Sequence, residues 1–210
     1  MTPNAWVLAF VAVLQIIAGV VALGLQASVY VGLRAFKFTA NSECLDDYGD
    51  ASTDECRSSS SAVSVASAAC AAALALLGVV PTVFGFMIAY WTFIECTNYR
   101  EQEILQNLQR LLNTCKMLCV VVLIFAAAGF GAAAGSCSSL RHARNVLPDA
   151  TISASSTSYR DSVVGLLDES SAALSGCIFP LLVNSLLGLL SILTFFCGGN
   201  DNDSPFNSTF

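Results

Sequence analysis

Residues 98–135 read NYREQEILQNLQRLLNTCKMLCVVVLIFAAAGFGAAAG. Asn98 opens the stretch and Glu101 follows three places later, the spacing at which an asparagine caps a helix start while the acid reaches back to the cap's own N–H. Ile104, Leu108, Leu111, Cys115 and Leu118 then recur at steps of four and three, with Leu105, Leu112 and Cys119 beside them. Such a seam, backed by Gln106, Gln109, Arg110 and Asn113, defines an amphipathic helix. From Met117 the polar side disappears, and Cys119 to Gly135 carries no charge. One helix is therefore expected to start in water and run into lipid. At ~1.5 Å per residue it would reach roughly 55 Å, against a hydrocarbon core of about 30 Å. The stretch predicts a membrane helix with a stalk over 99–116.

Composition agrees with a bilayer protein. Only 11% of the 210 residues are charged, and the mean hydropathy is +0.68. A soluble domain of this size needs far more surface charge. Net charge is −6, with no basic cluster, which argues against nucleic acid. The first residues carry no positive charge and the apolar run over 5–31 is too long for a signal h-region, so it is expected to be a first span.

Three further stretches complete the pattern, giving spans over 5–31, 66–94, 117–135 and 174–197. Trp6 and Tyr30 fall where interfacial aromatics sit, and Pro81 is expected to kink the second span. The short junction after Ile94 makes spans two and three an antiparallel hairpin. Residues 34–61 and 136–171 are left as loops, with a break at Pro148 and helix resuming over 159–174. Residues 201–210 form an acidic tail expected to be mobile. No window alternates as a membrane barrel strand does. The expected fold class is all-α: one domain over 1–200, a transmembrane four-helix bundle with helical extensions beyond the bilayer. In span three Ala127, Gly131 and Gly135 recur every fourth residue, a ridge along which another helix can approach closely.

The nine cysteines sort by side. Cys44, Cys56, Cys137 and Cys177 lie toward loops one and three, where Cys44–Cys56 with Cys137–Cys177 is the simplest of three pairings in an oxidising compartment. Cys96, Cys115, Cys119 and Cys197 lie near the opposite face as candidates for S-palmitoylation. The alternative for both sets is cysteine as a small apolar residue. This distribution puts both termini in the cytosol, in the plasma membrane or another secretory-pathway membrane. Counting positive charges gives the reverse, since Arg34, Lys37, Arg57, Arg141, Arg144 and Arg160 all belong to loops one and three. The sequons at Asn202 and Asn207 also fit the reverse orientation.

No catalytic constellation is visible. His142 is the sole histidine, no metal-ligand spacing occurs, and no cofactor is implied. The acidic run Asp46, Asp47, Asp50, Asp54, Glu55 lacks the ligand order of a calcium loop. Gln15, Thr82 and Asn184 fall at similar depth near the bilayer centre. They serve either as interhelical hydrogen-bonding groups or as the lining of a small-solute path. The stalk seam, Ile104, Leu108, Leu111 and Cys115, either packs on the chain's own helix ends or docks a partner. A four-residue junction is too short to cover it, which favours docking.

With four spans, a cysteine pair (Cys44 and Cys56) in the first loop and a short junction between spans two and three, the chain resembles tetraspan membrane proteins of the claudin-like and MARVEL type. Gly32-Leu33-Arg34 stands where claudins carry Gly-Leu-Trp, and Cys56 is followed by Arg57 rather than the Cys-Gly of tetraspanins. The resemblance implies organising, adhering or sealing membranes, and carries over no functional residue. The expected function is thus non-enzymatic: an integral membrane protein working through lateral or subunit contacts, as a homo-oligomer or with other membrane subunits. An oligomeric pore and an accessory subunit of a larger complex are the alternatives.

Overall fold

Almost every residue that the computed structural model describes is helical. It describes residues 3–48, 53–97, 101–146 and 157–197, and among these only Cys177 is outside a helix. The helices are α1 (Pro3–Tyr48), α2 (Thr53–Ala73), a π-helical segment (Leu74–Val79), α3 (Val80–Thr97), α4 (Glu101–Val146), α5 (Thr157–Gly176) and α6 (Ile178–Cys197). They form four rods, because α2 runs through the π segment into α3, and α5 meets α6 at Cys177. Each rod is long and apolar enough to cross a membrane. The helix cap at Asn98, the break at Pro148, the 201–210 tail and both sequons lie outside the described residues.

Two prolines explain where the rods change. Proline has no N–H to give and its ring crowds the carbonyl four residues back. Just before Pro81 the helix widens, and the Val80 N–H donates to Ala75 O, five residues back. The extra residue in that turn absorbs the conflict without breaking the rod. Pro180 stands four residues after Gly176, where α5 ends. The Cys177 N–H still reaches Ala173 O at 3.0 Å, and Leu181 reaches back to Cys177 O at 3.2 Å, so the second rod also continues.

Packing makes a square. α1 lies against α2, α3, α5 and α6, and α4 lies against the same helices from the opposite corner. Small residues allow the close approaches. A Cβ on Gly85 of α3 would stand 2.9 Å from Ala12 O, and one on Gly78 would stand 2.7 Å from Leu23 Cγ. One end, with the chain N-terminus, holds a core of Ala5, Leu8, Ala12, Ile88, Leu108, Cys119 and Leu187. A second core at the other end joins Leu33, Ala40, Cys44, Cys56, Val63, Leu140, Tyr159 and Val163.

That second core corrects the expected loops. Residues 34–61 and 136–171 are helical wherever they are described. α1 and α4 each hold 46 residues, which at ~1.5 Å per residue is about 69 Å, more than twice a hydrocarbon core. The bundle therefore continues well past the lipid at the disulfide end. Its polar members are bonded. Tyr159 is fully buried, its hydroxyl donates to Ser59 Oγ at 3.0 Å, and Ser59 donates to Ala143 O at 2.9 Å. Asp47 of α1 accepts the Tyr159 backbone N–H at 2.8 Å, satisfying a free donor in the first turn of α5.

Candidate functional site

The residues singled out above occupy three surroundings: the bundle interior, the lipid-facing surface and the disulfide end.

Inside the bundle, Gln15 is 0% exposed and Asn184 1%. Neither amide atom of Gln15 has a hydrogen-bond partner, nor does Asn184 Oδ1, whereas Asn184 Nδ2 donates to Pro180 O at 2.8 Å on its own helix. Thr82 likewise donates to Gly78 O at 2.8 Å, the usual back-bond of a helical threonine. Gln15, Thr82 and Asn184 are therefore not joined by hydrogen bonds, because two of them turn to their own backbone. Deeper in the first span, Gln26 does link helices. Its Nε2 donates to Cys177 Sγ at 3.2 Å, and Cys70 Sγ donates to its Oε1 at 3.3 Å. This role was not visible in the sequence, since it requires knowing that α1, α2 and the α5–α6 junction share a depth there.

Cys44 and Cys56 form a disulfide across the 49–52 connection. Cys137 and Cys177 do not pair; both are free and buried. Cys137 instead lies 3.0 Å from Ser170, and Ser170 is seven positions, ~10 Å along a helix, from Cys177. Of the expected acylation sites, Cys96 is exposed, while Cys115 and Cys119 are buried and so closed to modification in the folded bundle. The Cys197 side chain lies outside the described residues.

The stalk seam is covered by the chain itself. Leu108 is 1% exposed and Cys115 is buried, and half-buried Leu111 packs on the same core as Ala5, Leu8 and Ile88. α1 begins at Pro3, so its first turns reach this depth, and Asn4 Nδ2 donates to Gln109 Oε1 at 3.0 Å. The cover comes from neighbouring helix ends rather than from the short junction, which removes Leu108 and Cys115 as partner-docking residues. The Ile104 side chain lies outside the described residues.

Toward lipid, the small-residue ridge is open. Ala127 and Gly131 are exposed and Gly135 is half-buried. A Cβ added at Gly131 or Gly135 would meet nothing within 4 Å. Gly129, one face over, makes the contact instead: its added Cβ would stand 2.8 Å from Leu77 Cγ and 3.0 Å from Leu77 N. A purely apolar cleft, bordered by Val83 and Met87 of α3 and by Leu118 and Val121 of α4, also opens on this surface. Exposed Trp6, Tyr90 and Trp91 gather at the N-terminal end, as expected of a membrane–water boundary.

Among the described residues, no group of three or more His, Cys, Asp or Glu is placed to hold a metal ion. These features define a four-pass, all-α integral membrane protein. No protein-family model, curated protein or solved structure matches the chain.

Proposed function

We propose that this protein is a non-enzymatic membrane organiser that works through lateral contacts with other membrane helices, either its own copies or another subunit. The observation that carries the proposal is the open ridge of Ala127, Gly131 and Gly135. Between helices in lipid there is little hydrophobic drive, and association depends on close van der Waals packing, which small residues at every fourth position permit. In this bundle the ridge faces outward with no intramolecular partner for Gly131 or Gly135. The tetraspan-like layout supports the same role. The buried Cys44–Cys56 disulfide favours an orientation with that end in an oxidising compartment and both termini in the cytosol of a secretory-pathway or plasma membrane.

Self-association measured by energy transfer in native-like membranes tests the role. Gly131→Leu is expected to weaken association by about tenfold or more, a loss near 1.4 kcal/mol, while the monomer keeps its fold. Association equal to wild type in this variant sinks the ridge as the contact. Fixed-stoichiometry co-purification of a different chain, lost in the same variant, identifies the partner as another subunit.

A pore is the second reading, favoured by the unpartnered Gln15 amide and Asn184 carbonyl. Both point into the bundle, so a path lined by them runs through one protomer rather than between copies. Solute flux in liposomes holding purified protein decides for it, and impermeable liposomes decide against it.

A further inference from the structure

A concave pocket of about 360 Å³ lies at the disulfide end, between α2 and α4. Ser58 and Ser61 of α2 line one wall; Ser138, Ser139 and His142 of α4 line the other, with Val65 at the rim. The pocket exists because facing helices are held ~8–10 Å apart while serine side chains are too short to fill the space between them. Neighbouring serines do the holding: Ser59 bonds Ala143 O and Ser136 bonds Ala66 O at 3.1 Å. The side chains of the four pocket serines and His142, in contrast, bond no other side chain or backbone group among the described residues. Four hydroxyls and an imidazole thus line a shared, solvent-open space.

Its depth narrows the choice of ligand. The antiparallel register of α1 and α2 is pinned at Cys44–Cys56 and at Gln26–Cys70, which brings Val65 to the level of Arg34, the first charge along α1. Val65 is exposed and apolar, so the pocket rises from the lipid edge into the headgroup layer. Exposed Arg57 and Arg141 sit directly before Ser58 and His142, and exposed Asp54 lies one turn beyond Ser58, away from the lipid. Arg57 and Arg141 stand outside the pocket lining, about a quarter-turn round their helices from it, so the groups offered to a ligand are the four hydroxyls and the imidazole, donors that suit a cluster of acceptor oxygens. We propose that this pocket binds a phosphate group, presented by a membrane lipid headgroup or as free phosphate.

Full-length protein in neutral detergent is titrated with three probes: dihexanoyl phosphatidic acid below its micelle concentration, inorganic phosphate, and dioctanoylglycerol. The readout is saturable thermal stabilisation. Stabilisation by both phosphate-bearing probes assigns the site to phosphate itself, and stabilisation by phosphatidic acid alone assigns it to a lipid headgroup. Dioctanoylglycerol acting equally well, or no saturable effect from either phosphate probe, overturns the proposal. Ser61→Leu with Ser139→Leu fills the pocket and is expected to weaken binding at least about tenfold at an unchanged unliganded midpoint. His142→Gln, which leaves the helix contacts alone, is expected to weaken binding several-fold. Wild-type affinity in a folded variant of either kind overturns the proposal as well.

Discussion

Leucine in place of Gly129 is expected to destabilise the bundle severely, whereas leucine at Gly131, two residues on, leaves it folded. At Gly129 the α4 backbone presses on the π segment of the second rod. An added Cβ would stand 2.8 Å from Leu77 Cγ, 2.9 Å from Leu76 Cβ and 3.0 Å from Leu77 N. Two of these three atoms belong to the side chains of the widened turn before Pro81, and the third is backbone that cannot rotate away. Overpacking a filled interior ordinarily costs about 1–3 kcal/mol; a full leucine against backbone belongs at or above the top of that range. At Gly131 nothing lies within 4 Å, so the same substitution should change fold stability by no more than about 0.5 kcal/mol. Reversible unfolding in mixed micelles compares the two. Equal losses at both positions would mean that α4 is rotated from the orientation described.

Removing the Cys44–Cys56 bond is the second large effect. The bridge closes a loop of sequence separation 12, for which restriction of the unfolded chain is worth about 3 kcal/mol. Both cysteines are buried in the core of the disulfide end, beside Ala40, Leu140 and Tyr159. Cys44→Ala with Cys56→Ala should therefore loosen that end alone, because the N-terminal end has a separate core around Leu8 and Leu108. Arg34, Lys37, Arg57, Arg141, Arg144 and Arg160 make trypsin the natural probe. Wild-type protein is expected to resist cleavage within 34–61 and 136–171 wherever these residues are helical, and the double variant to be cut there within minutes while the helix ends around Leu8 and Leu108 stay uncut. Identical cleavage patterns would show that the bridge adds nothing to the fold.

Both effects depend on features that a sequence discloses unevenly. The four crossings were legible because charge vanishes from long stretches of each rod, as between Lys116 and Arg141. Beyond the lipid only the helix over 159–174, with Tyr159, Val163 and Leu167 in its core face, was legible; the rest was not, because most of what 34–61 buries there is Ala40, Cys44, Cys56 and Ser59. Residues this small and weakly apolar leave no hydrophobic period to detect, so a packed helix reads as a hydrophilic loop. Orientation was equally hidden. Ala127, Gly131 and Gly135 look no different from Gly129 in composition, and only the rotation of α4 decides which of them meets a neighbour. Depth was the third missing quantity. Cys137 sits beside Ser170, seven residues or ~10 Å along the rod from Cys177, and the stalk seam found its cover in the first turns of α1. The pocket serines could not be told from their neighbours in the sequence: only Ser59 among the serines of 58–61 and Ser136 among those of 136–139 bond the facing helix.

Hydrogen exchange on the full chain in lipid nanodiscs tests the central claim most directly, that four helices cross the bilayer and continue past it as one bundle. Backbone amides of 34–48, 53–61, 136–146 and 157–171 are predicted to exchange slowly, as interior helix does, despite lying outside the lipid. Exchange of these amides within seconds, with protection confined to the four apolar stretches, would contradict it.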